Sequence, residues 1–319
     1  MSLGEINLYI FNFSDMKKFI ISFLFIIVGL FIVDRIGGLA MWWVNQNSQD
    51  ASAPKIKYVA SEADEDVILM GTSRCNFHYV PSVIKDSIGM TVYNGGIDAS
   101  DNIYFQYILL NLLLEHHNPD LICLEVSVND FSIQPDPFCD ISFLASYIGK
   151  NEQADSVFRV AGSYWRYQLS HLYRYNAKAV SNIGGLLINK QAGDDHGFVP
   201  IPGSNYHPQE LEHRPTLKKT DIIKLSYVER FITQCKENGV KVVLMISPLY
   251  AQVDADYYKA LKTVASDNDV PFLDYHTQGL FLDRPDFFKD NIHLNGEGAK
   301  AYSAIFASDL KKILDSAGE

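Results

Sequence analysis

The chain has 319 residues, 47% of them hydrophobic and 20% charged, with a net charge of −11 and a pI near 5.2. This apolar content excludes a disordered chain, and the length suffices for one large domain plus additions. The acidity argues against nucleic acid or an anionic membrane surface as the main target. Cys75, Cys123, Cys139 and Cys235 lack the Cys-x-x-Cys or Cys/His spacing of a zinc site, so no metal or other cofactor is expected. Cys123 sits in an apolar run and reads as core; spacing does not pair the others.

Residues 1–15 carry a short aromatic stretch (Leu8, Tyr9, Ile10, Phe11, Phe13) suited to a membrane surface. Lys17 and Lys18 precede a charge-free run over 19–33, which as helix covers about 22 Å against a hydrocarbon core of roughly 30 Å. Asp34 and Arg35 interrupt, and 36–44 is again mostly apolar, ending in the interfacial pair Trp42-Trp43. Two readings compete: an uncleaved anchor helix over about 19–44, and a cleaved signal peptide with Gly38-Leu39-Ala40 as the cleavage site. The charged pair sits badly ahead of a cleavage site, which favours the anchor and a first segment ending near residue 45. Lysines ahead of the helix keep the N-terminus in the cytoplasm and send the remainder outside. Within a bilayer, Asp34 and Arg35 need each other or a partner protein. Residues 46–66 are polar and read as a linker.

From residue 67 strands alternate with helices. The apolar runs at 67–70, 90–93, 121–126, 240–246 and 271–273 read as strands; 80–86, 100–115, 218–238, 256–268 and 296–316 read as helices. This pattern predicts a parallel sheet covered on both faces, over a domain spanning 67–319. Asn238-Gly239 is a helix stop and Asn295 an N-cap. The rhythm breaks over 133–217, an aromatic-rich insertion containing the run His196-Gly-Phe-Val-Pro-Ile-Pro-Gly203. It is expected to form a lid or substrate groove, or a mainly helical subdomain whose aromatics are its own core.

Val67-Ile-Leu-Met-Gly-Thr-Ser73 would leave a serine hydroxyl at the carboxyl end of a buried strand, where open α/β sheets bind ligands; helix capping is the plainer role. Asp290 and His293, three apart before a helix, permit a carboxylate-to-Nδ1 bond that leaves Nε2 to take a hydroxyl proton. His116, His117, His207 and His213 show no such partner pattern. Gly96 after the second strand and Asn129 after the third are candidate oxyanion donors, against the plainer readings of a tight turn and an Asx-turn. Arg74 reads as a surface salt bridge or as a holder of an anionic or sugar group. No glycine-rich phosphate loop follows any strand, which argues against a nucleotide-dependent enzyme.

Taken in order, Gly71-Thr-Ser-Arg74, Asn94-Gly-Gly-Ile97, Ser127-Val-Asn-Asp130 and Asp290-Asn-Ile-His293 resemble the four blocks of the SGNH (GDSL-like) hydrolase superfamily. The resemblance covers about 65–132 and 218–316; Thr72 replaces the usual Asp and Ser127 the usual Gly, and neither is a reacting group. It implies a flavodoxin-like three-layer α/β/α fold and a serine esterase or acyltransferase. Ser73 would be nucleophile, His293 base, Asp290 orienter, and Ser73 N–H, Gly96 N–H and the Asn129 side chain the oxyanion hole. An anchor helix, external domain and insertion together look like DltD-type and alginate-acetylation-type envelope proteins. That implies acyl, chiefly acetyl, esters of an envelope glycan, a site outside the cytoplasmic membrane, and a multi-spanning membrane acyltransferase as partner. The alternative is a non-catalytic carbohydrate-binding or scaffold subunit.

Overall fold

Period-two alternation within the apolar runs builds a sheet that is buried on both sides. In the first strand Ile68 and Met70 join one core cluster while Val67 and Leu69 join the other. The structure, a computed structural model, describes residues 13–50, 52–98, 100, 102–138, 140–187, 195–203, 211–217 and 219–316. The aromatic run at 8–11, Cys139 and His207 lie outside the described residues.

In chain order the elements are α1 (Phe13–Asn47), α2 (Ala53–Ser61), β1 (Val67–Met70), α3 (Ser73–His78), α4 (Pro81–Ile88), β2 (Val92–Asn94), α5 (Ile103–Leu113) and β3 (Leu121–Glu125). The insertion supplies α6 (Glu152–Val160), α7 (Tyr164–Leu169), α8 (His171–Arg174), α9 (Ala179–Gly185) and β4 (Glu212–Arg214). Then follow α10 (Ile222–Glu237), β5 (Lys241–Ile246), β6 (Ala251–Val253), α11 (Lys259–Asp267), β7 (Phe272–Asp274) and α12 (Gly296–Ser316). The main sheet is wholly parallel, in the order β2-β1-β3-β5-β7, with Val67 opposite both Val92 and Leu121. Renumbered within the sheet this is the doubly wound order 2-1-3-4-5 of the flavodoxin-like three-layer fold. Chain order reverses between β1 and β3, and the crevice beyond their carboxyl ends is the ligand position such a topology provides.

All five expected strands and the main helices form, with ends shifted by a few residues. Gly239 lies past α10 at φ +74°, and Asn295 caps α12 by accepting from Glu297 N and Gly298 N. Cys75, Cys123 and Cys235 are buried free thiols.

Three expectations need correction. The segment 46–66 contains α2, which packs on α5 and buries Ile56 and Val59, so polar composition concealed an amphipathic helix rather than a free linker. Asp34 and Arg35, expected to hold each other or a partner protein, lie 3.9 Å apart on α1, which runs through residue 47, and the insertion supplies their further partners. Asp34 accepts from Ser170 Oγ (2.6 Å) and from the N–H groups of His171 (2.9 Å) and Leu172 (3.1 Å) at the start of α8, while Arg35 donates to Leu169 O. Their partners come from the same chain. Third, of the two readings of 133–217 the helical one forms: α6 packs on α5, and α8 and α9 pack on α1, so these helices lie away from the crevice, and among the insertion's described residues only Arg214 lines it. The short sheet of β4 and β6 was not expected.

Candidate active site

Gly71 turns the chain off β1 at φ +150°, and a Cβ there would approach Glu125 to within 2.8 Å, so only glycine fits. Two residues later Ser73 begins α3, with Thr72 as an N-cap that makes no side-chain bond. Ser73 therefore stands at the helix start rather than capping it. Its Oγ lies 2.9 Å from His293 Nε2, and His293 Nδ1 lies 3.0 and 3.1 Å from the two Asp290 oxygens. The structure thus brings the three residues together across 217 or more positions of sequence.

Asp290 Oδ1 also accepts from Ile292 N and His293 N, both at 2.8 Å, closing the tight turn the spacing predicts. Burial works against the Asp290 carboxylate, but these bonds and the one from the imidazole together hold its carboxyl below the usual range. Phe77 meets the His293 ring edge-on at 5.5 Å between centroids.

A cavity of about 170 Å3 opens beside Ser73, lined among others by Asn129, Arg214, Tyr257, His276 and His293. Asn129 lines this cavity together with Ser73. Its Oδ1 accepts from Gln134 Nε2 at 2.9 Å, which turns the amide NH2 the other way. Gly96 does not line the cavity. Its N–H donates to Asn94 Oδ1 (3.0 Å), its carbonyl accepts from Lys55 Nζ (2.6 Å), and Asn76 N occupies the space a Cβ would need. In this arrangement Gly96 serves close packing under α3, and the expected donor role does not fit, because its hydrogen is already committed.

Arg74 is neither on the surface nor bonded to an exposed carboxylate. It is 4% exposed, pairs with Glu125 at 3.1 Å and donates to Val126 O at 2.7 Å. Glu125 also accepts from the Tyr79 hydroxyl and from Ser247 N and Oγ. Burial pushes its carboxyl up, against the opposing pull of Arg74 and the donors. Ser247 Oγ in turn faces His78 Nδ1 at 2.8 Å, and His78 Nε2 accepts from Leu294 N at 2.9 Å, next to His293. That acceptor role leaves Nδ1 carrying the proton. Burial, with Arg74 and His293 adding to it, holds His78 well below the ordinary histidine range, so it stays neutral. A buried chain of polar groups therefore runs from α3 through the carboxyl ends of β3 and β5 to the His293 loop.

Sequence reasoning missed this network, together with His276, Gln134 and Lys55. A glutamate ending a buried strand was a usable signal for Glu125, since such a charge needs partners. Nothing local marks the others. Burial holds His276 down to about 4, with Arg74 adding to it, while its ring bonds Tyr258 OH (2.7 Å) and Ala251 O (3.0 Å).

No protein-family model matches the chain, and no curated protein does. Among solved structures it is similar to a candidate acylhydrolase from Bacteroides fragilis, at 16% identity over 81% of this chain and 95% of that one, TM-score 0.39. It is likewise similar to a lipolytic protein of the G-D-S-L family from Desulfitobacterium hafniense (11%, 76% and 97%, TM-score 0.38). A third is an acetylxylan esterase from Geobacillus stearothermophilus (10%, 76% and 92%, TM-score 0.40). The fold assignment rests on this chain's own strand order and register, and the chemistry on the geometry around Ser73.

Proposed function

We propose that the chain is a serine esterase or O-acyltransferase acting on short acyl esters of a cell-envelope glycan, outside the cytoplasmic membrane. The observation that carries this reading is the unbroken contact from Ser73 Oγ to His293 Nε2 (2.9 Å) and from His293 Nδ1 to Asp290 (3.0 Å). Ser73 Oγ attacks the acyl carbonyl and its proton passes to Nε2. The imidazolium, steadied by Asp290, then protonates the leaving alcohol, giving an acyl-serine. Water or a second sugar hydroxyl attacks that ester, its proton goes to His293, and Ser73 leaves with the proton restored. Ser73 N–H and the Asn129 amide are the donors for the developing oxyanion.

The size of the cavity supports a short acyl group. About 170 Å3 is well below the range of roughly 300–1,000 Å3 usual for drug-sized ligands. The envelope setting rests on α1, long and apolar enough to cross a membrane, and on Lys17 and Lys18 ahead of its apolar run. A multi-spanning acyltransferase is the partner such a setting would suit. A purely scaffolding or carbohydrate-binding role has no need of the serine–histidine–aspartate contact.

The test is labelling of the full chain, solubilised in detergent, with a fluorophosphonate, followed by p-nitrophenyl acetate hydrolysis. Ser73 should be the labelled residue, and Ser73→Ala should lose both label and turnover. Equal acetate release by wild type and variant, with no label on Ser73, would overturn the reading.

A further inference from the structure

The insertion carries an apolar and basic face directly beside α1. On α7, Trp165 and Leu169 are 77% and 79% exposed, and their i, i+4 spacing puts them on one side. On α9 and the turn after it, Val180 (87%), Ile183 and Leu187 (86%) recur at i, i+3, i+7, again one stripe. Single exposed apolar residues are ordinary, but two helical stripes of them mark a contact surface.

Two independent observations identify what covers it. The first is level. Large side chains of α1 are exposed throughout residues 16–33, about 27 Å of helix at 1.5 Å per residue, which is close to the roughly 30 Å hydrocarbon core. From Asp34 on only one side of α1 (Ile36, Leu39, Trp42 and Trp43) stays exposed while Asp34 and Arg35 hold residues 169–172, so α7 and α8 sit where the all-round apolar stretch ends. The second is charge. Between Asp155 and Leu187 on this part of the insertion the cations are Arg159, which pairs with Glu152 at 2.6 Å, and Arg166, Arg174 and Lys178, with no acidic residue among them, in a chain of net charge −11. In the same stretch Trp165 and Tyr173 are exposed and Tyr164 is half-buried, while Tyr167 and Tyr175 are buried in the core. Aromatic, apolar and cationic side chains together are the composition of a membrane interface.

We infer that this face of the insertion lies in the bilayer surface, with Trp165, Leu169, Val180 and Leu187 entering the headgroup region and the basic residues meeting anionic lipid. The acidity of the whole chain does not oppose this, because the reversal of charge is local. The inference rests on α1 spanning the membrane and is independent of the chemistry at Ser73.

The experiment uses the full chain with Trp42→Phe and Trp43→Phe, which leaves Trp165 as its sole tryptophan. It is reconstituted in nanodiscs containing phosphatidylglycerol. Phospholipids brominated near the headgroup should reduce Trp165 emission, and iodide should quench it less than free tryptophan. A second reporter, Val180→Trp with Trp42→Phe, Trp43→Phe and Trp165→Phe, should respond in the same way and covers the case in which the first variant misfolds. Full iodide quenching with no response to brominated lipid at both positions overturns the inference. Shielding from iodide without any lipid response also overturns it, since it points to a protein contact. A chain that fails to enter the discs removes the premise about α1 and the inference with it.

Discussion

At the residue scale the decisive groups are those that aim others. Gln134 fixes which way the Asn129 amide points, so Gln134→Ala should lower kcat while leaving KM nearly unchanged, and Asn129→Ala should lower kcat by about 10²–10³. Ester hydrolysis by the two variants compares them; a Gln134→Ala enzyme as fast as wild type would deny it the positioning role. Glu125→Ala removes the carboxylate partner of buried Arg74, and losing one member of such a pair typically costs about 3–5 kcal/mol, read by denaturant unfolding. Acid should act through the buried histidines. His276 is held to about 4, whereas an unfolded histidine titrates near 6.5. Between those values the unfolded chain binds a proton that the folded chain refuses, so stability falls as pH drops through the window. The full effect for His276 is on the order of 3 kcal/mol, and His78 works in the same direction. Thermal unfolding followed over that range should show a shallower pH slope for His276→Gln than for wild type; identical slopes would remove His276 from the account. Ser73, Asp290 and His293 were legible because their chemistry demands short-range patterns, a turn after a strand and a three-residue spacing. Gln134 and His276 act through contacts that no local pattern encodes.

At the element scale the site depends on close approach between short segments. The Gly96 loop lies against the first turns of α3, and Lys55, reaching in from α2, bonds both Gly96 O and Asn76 Oδ1. Gly96→Ala should push α3 outward and displace Ser73, lowering turnover more than a surface Gly→Ala such as Gly203→Ala, where no atom crowds the added Cβ. Comparable activity in the two variants would argue against that coupling. The same elements mark where sequence reading stopped. Parallel strands declare themselves as unbroken apolar runs, and all five were found. Helix α2 did not, because its buried face is only Lys55, Ile56, Val59 and Ala60 within a polar stretch, and a lysine there reads as solvent-facing. Gly96 was found as a residue but given the wrong task, since a sequence does not reveal where an N–H is already spent.

At the scale of the whole molecule, the joint between α1 and α8 organises the chain. Gly38 lets His171 pack against the helix, and Asp34 ties up the N–H groups that begin α8. Asp34→Ala should free this joint, seen as faster amide exchange at residues 170–172 with the Ser73 region unchanged; unchanged exchange at 170–172 would mean that Asp34 is not the tie. Reporter fusions after residue 50 should be active only on the outer side of the membrane, and cytoplasmic activity alone would reverse the topology. One consequence follows from the folding of 46–66 onto the core. With α2 packed on α5 rather than paid out as slack, the crevice holds a set height above its anchor. On the proposed function, such an enzyme would have no leash. It would modify only the stretch of polymer that passes within its fixed reach, so acyl groups would be laid down or removed as a strand threads past, and material already clear of the membrane would escape it.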